Sequence, residues 1–280
     1  MPSASVTPSG PRLIMRDTQK NIARPSNRAY MRGTHKGVGM VRLPALITEY
    51  AKLDGRPRST IAWYARLARE AGKLPTTKRG LGAAHMGVRE AVNLILACNG
   101  AEDPKEGADA VDRIRFYKGI RDDFDFEQLE DDEMREIGLE PTFGKALEEL
   151  IRCAPYLFRT FDEGLSLTHP ALSINERFHI VKKAPCVKIE DGSAWMSIGA
   201  PYFNYYDDLF LRKNRLTVNY YEELRPISAI DLLKKPANLR ETDVSLRFGI
   251  FMGLAKLFFE DSMQFPDELV PQSKDGGGDG

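Results

Sequence analysis

The sequence predicts an α+β chain in which helices fill the first half and the strands lie in the second. Three observations predict it. From Leu43 to Ala154 apolar residues recur at three- and four-residue intervals, punctuated by Gly and Pro. From Phe178 to Tyr221 they gather instead into short β-branched and aromatic runs. Charge also reverses along the chain: residues 1–90 carry 17 basic and 5 acidic side chains, and residues 91–150 carry 7 and 17. The formal net charge of zero therefore conceals a basic end and an acidic middle. Such asymmetry points to a polyanion-binding N-terminal part.

Residues 1–40 are rich in Pro, Ser, Gly, Asn and Arg, with a basic residue every four from Arg12 to Lys36. Pro25, Gly33, Gly37 and Gly39 argue against a long helix, so this is read as a disordered cationic arm. Leu43, Leu46, Ile47, Tyr50, Ala51 and Leu53 mark one face of a helix that has Pro44 in its first turn and ends at Gly55. A second helix spans 61–71, capped by Ser59 or Thr60 and closed by Gly72. Pro75, Gly80 and Gly82 make 73–83 a loop, and further helices are expected at about 88–98 and 105–117.

The acidic stretch 121–140, interleaved with Phe124, Phe126, Leu129, Met134 and Ile137, reads as an amphipathic helical connector, followed by a helix at 143–154. Beyond it, 178–181, 186–189, 194–198 and 216–221 read as strands, with a hairpin turn at Asp191-Gly192. A last apolar helix over 246–259 is expected to pack on their sheet. The expected organisation is an arm (1–40), a helical domain (41–120), an acidic connector (121–160), an α+β domain (161–265) and a disordered tail (266–280).

One segment carries a mechanism. A helix-turn-helix needs a small residue inside its first helix, glycine at the turn and a β-branched anchor inside the second, which here read Ala51, Gly55 and Ile61. Ser59, Thr60, Trp63 and Arg66 would then face outward, and Arg56 and Arg58 would lie beside the N-terminus of the reading helix, where phosphates are favoured. Arg can meet a guanine edge bidentately, and Thr or Trp a thymine methyl. Ile61, Tyr64, Leu67 and Ala68 share the opposite face, which places Tyr64 rather than Trp63 in the core.

This arrangement resembles the helix-turn-helix of bacterial and phage DNA-binding regulators. The stretch from Thr60 to Pro75, then Lys78 to Met86 and the helix to Ala97, is similar to uncharacterised proteobacterial and prophage proteins. The resemblance implies a winged variant in which the loop grips flanking backbone through Lys73, Thr77, Lys78 and Arg79. It implies double-stranded DNA as partner, transcriptional regulation as function and, because one module buries little surface, a homodimer or higher homo-oligomer. The α+β domain is the candidate for dimerisation, a protein partner or an effector. A DNA-packaging or replication-initiation adaptor, or a nucleic-acid enzyme with a dispersed site, remains open as an alternative.

Other chemistries find no motif. Gly72-Lys73 and Gly144-Lys145 lack the hydroxyl of a phosphate loop, and neither G-x-S-x-G nor H-E-x-x-H occurs. His35, His85, His169 and His179 are scattered without metal-ligand spacing, so neither metal nor cofactor is expected. Cys98, Cys153 and Cys186 are widely spaced and read as buried reduced thiols. The longest apolar run, 248–255, falls well short of the roughly 20 residues of a membrane span. With no secretory signal pattern at the N-terminus, a soluble cytoplasmic protein is expected.

Overall fold

A computed structural model describes residues 41–76, 84–121, 129, 131–190, 193–198, 216–221 and 244–259. The fold is mixed α and β. Among the described residues the helices are α1 (Leu43–Asp54), α2 (Arg58–Glu70), α3 (Val88–Asn99), α4 (Gly107–Arg115), α5 (Asp132–Leu139), α6 (Phe143–Thr168), α7 (Ile174–Lys183) and α8 (Phe248–Phe259). Its strands are β1 (Val41–Arg42), β2 (His85–Met86), β3 (Lys118–Arg121), β4 (Pro185–Glu190), β5 (Ser193–Ile198), β6 (Leu216–Tyr221) and β7 (Val244–Arg247).

The helical layer is built on α3. Ten of its twelve residues are buried, as expected of a helix apolar on nearly every side, and α2, α4 and α6 pack around it. Its polar positions are bonded rather than stranded. Asn93 Nδ2 donates to the Lys73 carbonyl at 2.7 Å, and Arg115 donates to Asn93 Oδ1 at 2.8 Å. Helix α8, also apolar on most sides, packs chiefly on α6, α1 and α7 and meets the sheet at β4 and β7.

Five strands form an antiparallel sheet in the order β3-β6-β5-β4-β7. Ala194, Met196 and Ile198 of β5 and Leu216, Val218 and Tyr220 of β6 face inward, alternating with more exposed neighbours. In β4 the register shifts between Pro185 and Val187, so the adjacent Cys186 and Val187 are both buried. One apolar cluster runs from Val41 through the helices and sheet to Phe259, within a compact unit spanning Gly37–Gly280.

Several expectations need correction. The run 178–181 belongs to helix α7, not to a strand. Ser173 caps it, accepting from the Glu176 amide at 3.3 Å while Glu176 Oε2 accepts from the Ser173 amide at 2.8 Å. The helix that begins at Phe143 does not stop at Ala154; it continues through the buried Pro155 to Thr168. The segment 105–117 divides into a short 3₁₀ turn (Pro104–Glu106) and α4. The last helix starts at Phe248, because Leu246 is a buried residue of β7. Strands β3 and β7 were not expected.

Other expectations match. Helix α1 ends where Gly55 adopts a left-handed φ of 88°, and β4, β5 and β6 cover the anticipated runs. Glu190 pairs with Ser193, and the Asp191-Gly192 turn between them lies outside the described residues. In the acidic segment, residues 122–128 and 130 also lie outside them. Within that segment Asp132–Leu139 forms helix α5, capped by the buried Asp131. The arm 1–40 and the tail 266–280 are likewise outside the described residues.

Candidate nucleic-acid interface

Helices α1 and α2 are joined by Gly55-Arg56-Pro57. The Gly55 amide donates to the Ala51 carbonyl at 3.0 Å and closes α1, while Ala51 and Ile61 are buried on either side of the turn. Pro57, not Ser59 or Thr60, occupies the N-cap, and its carbonyl accepts from the Thr60 amide at 2.9 Å. Ser59 and Thr60 therefore lie inside the first turn of α2, with their side chains released from capping.

A polar network beneath the turn fixes it to α3. Arg56 donates through Nε to Asp54 Oδ2 at 2.5 Å and through Nη1 to the Cys98 carbonyl at 2.6 Å. Its Nη2 donates to Asp54 Oδ1 and to Asn99 Oδ1, both at 2.9 Å. Four of the five guanidinium N–H groups are thus committed inside the fold. Asn99 Nδ2 donates to the Tyr50 hydroxyl at 2.6 Å, and that hydroxyl donates to Asp54 Oδ1 at 3.2 Å. Burial pushes the Tyr50 phenol well above its usual range, with Cys98 and Asp54 adding to the shift, so the hydroxyl stays protonated and able to donate.

The outer face of α2 is set by its inner one. Ile61, Tyr64, Ala65 and Ala68 are buried, and the Tyr64 hydroxyl donates to the carbonyls of Ala101 and Glu102 at 3.1 and 3.0 Å. Ser59, Trp63 and Arg66 consequently share the exposed side at helical spacing, with Trp63 half exposed (50%). Thr60 is only partly exposed. Arg58, the first residue of α2, is exposed, and its Nε donates to Thr48 Oγ1 at 3.0 Å.

The anticipated residues are thus not equivalent. Ser59, Trp63 and Arg66 share one exposed face of α2, and Arg58 is exposed at its start. Arg56 is bound inward, and Lys73 is paired with Asp112 of α4 at 2.5 Å. Thr77, Lys78 and Arg79 lie outside the described residues. Strand β2, which follows that loop, pairs with β1, which precedes α1, through Val41–Met86 and Arg42–His85.

Glu70 joins the exposed face but was missed from sequence. Its signal was present: an acid four residues after Arg66, whose Nε donates to Glu70 Oε1 at 2.8 Å. Among the described residues no group of three or more His, Cys, Asp or Glu side chains could hold a metal, and no helix is long and apolar enough to cross a membrane. Cys98, Cys153 and Cys186 are buried and unbridged, and burial raises all three thiols. No family model, curated protein or solved structure matches the chain.

Proposed function

We propose that the chain binds double-stranded DNA sequence-selectively and acts as a transcriptional regulator in a bacterial or mobile-element setting, with α2 as the helix laid in the major groove. The observation that carries the reading is the division of α2. One face is locked into the core, and the other presents Ser59, Trp63 and Arg66 directly after a left-handed glycine turn. The excess of 17 basic over 5 acidic residues in 1–90 supports it, since phosphate neutralisation dominates affinity for a duplex.

Arg58, beside the helix N-terminus, contacts phosphate; Trp63 meets a thymine methyl; the loop 73–83 and the arm 1–40 add backbone contacts as a wing and a cationic tail. Arg56 positions the turn rather than touching the duplex. The region of the five-stranded sheet serves dimerisation or effector binding, which gives two reading helices for a twofold-related site.

Selection of duplexes from fragmented genomic DNA with the full chain at physiological salt tests the reading, with Arg58→Ala/Trp63→Ala beside wild type. The expected result is one enriched, twofold-related motif that the double variant loses. Affinity should fall with a log–log salt slope of roughly −0.9 per phosphate contacted. Binding without a motif would reduce the protein to an architectural or assembly role, and absence of binding would overturn the reading.

A further inference from the structure

We propose that Glu70 sets the specificity of Arg66, and that the two together read a guanine in the target duplex; the inference rests on the DNA-binding reading. Both side chains stand on the exposed face of α2, 68% and 52% exposed, joined Nε to Oε1 at 2.8 Å. An ion pair so exposed contributes little to folding.

A guanidinium can offer two forks of parallel N–H groups, a side one containing Nε and an end one made of the two Nη atoms. Glu70 takes the Nε proton, so the side fork is occupied and that bond leaves the two Nη atoms of the end fork unused. Two parallel donors match guanine O6 and N7, both acceptors. Adenine presents N7 beside an amino donor and thymine presents a single O4, so neither satisfies the fork. The carboxylate also disfavours the phosphates that an unrestrained arginine would otherwise bind. Ser59, Trp63 and Arg66 cover about 10 Å along the helix. A thymine methyl under Trp63 and a guanine under Arg66 thus fall within a few base steps of each other.

The test is the same selection with Arg66→Lys and Glu70→Ala in the full chain, followed by affinity measurements on the selected duplex and on an unrelated one. Both residues are solvent-exposed, so the variants retain the wild-type circular dichroism spectrum and melting temperature. Lysine keeps the charge without the fork, so Arg66→Lys should lose about tenfold in affinity for the guanine-containing site and lose the preference for guanine there. Glu70→Ala should relax the guanine preference while binding the unrelated duplex more tightly, because an acid has left the face that meets phosphate. A merely structural Glu70 would leave the ratio of these two affinities unchanged. A guanine preference that survives Arg66→Lys, or two affinities unmoved by Glu70→Ala, overturns the pairing while leaving DNA binding intact. No binding by wild type overturns both.

Discussion

Arg56 and Asn99 are bonded Nη2 to Oδ1 at 2.9 Å across 43 residues of sequence, so the turn after α1 is held by the last residue of α3. The same guanidinium binds Asp54 and the Cys98 carbonyl, which makes it the junction of three segments. Arg56→Ala removes donors from a mostly buried carboxylate and from a carbonyl. The expected loss is about 2 kcal/mol, the cost of unmaking hydrogen bonds to charged groups. Arg56→Lys, with no planar fork to span the same acceptors, should recover only part of it. Urea midpoints of the two variants check this; an unchanged midpoint in Arg56→Ala would show that the network does not hold the turn.

Gly55 isolates a backbone effect. Its φ is 88°, and a Cβ added there would meet nothing within 4 Å, so substitution costs conformation rather than space. Alanine should destabilise by about 1–2 kcal/mol, asparagine by less because it tolerates the left-handed region, and valine by more. Thermal unfolding of wild type and the three variants should give the order Gly, Asn, Ala, Val. Equal stability of Asn and Val would contradict the origin assigned to the cost.

What could be read from sequence was what local spacing determines. The exposed stripe of α2 and the Gly55 stop come from periodicity and from one residue's backbone freedom. Two of the partners of Arg56, Cys98 and Asn99, lie more than 40 residues away and leave no local trace. Strand β3 has four residues, Gly119 and two cations among them, and no apolar alternation; its pairing with Val218–Tyr221 of β6 defines it. In 178–181 two β-branched residues outweighed a Ser173–Glu176 capping box that was present in the sequence. Pro155 lacks the amide of an interior helix bond, yet Ala154, Leu157 and Phe158 are buried around it and α6 runs onward.

Asp131 predicts a gain in stability on acidification. It accepts from the Met134 amide at 2.9 Å and from the Tyr156 hydroxyl at 3.1 Å, but burial outweighs both bonds and raises its carboxyl above the usual range. Between the unfolded value of about 3.9 and the raised folded one, the folded chain keeps a proton that the unfolded chain has lost. This contribution to stability is therefore full below the unfolded value and disappears as pH rises through the folded value. Asp131→Asn keeps the cap acceptor without the buried charge. It should be at least as stable as wild type at pH 7, with the advantage vanishing below about pH 3.9. A deficit independent of pH would mean that the charge itself supports the cap.

Glu148 predicts the opposite slope. Its side chain is 2% exposed and faces Arg115, Lys145 at 3.0 Å and Arg152 at 3.6 Å. Burial raises its carboxyl, but the Lys145 bond and the charge and bond of Arg115 outweigh burial and bring it below the usual range. The stabilisation is present above the unfolded value of about 4.3 and is lost as pH falls through the lower folded one. Glu148→Gln should cost about 3 kcal/mol at pH 7, because Arg115 stays buried without its countercharge. That deficit should shrink below about pH 4.3, where wild type gives up the same interaction. Arg115→Met/Glu148→Leu should lose less than Glu148→Gln alone, since removing both charges removes the desolvation that each imposed. Urea midpoints from pH 3 to 7 separate the two carboxylates: the Asp131→Asn difference grows with pH in favour of the variant, and the Glu148→Gln difference grows in favour of wild type. A Glu148→Gln deficit that does not change across that range would place its cost in the geometry of the hydrogen bonds from Arg115 and Lys145 rather than in charge.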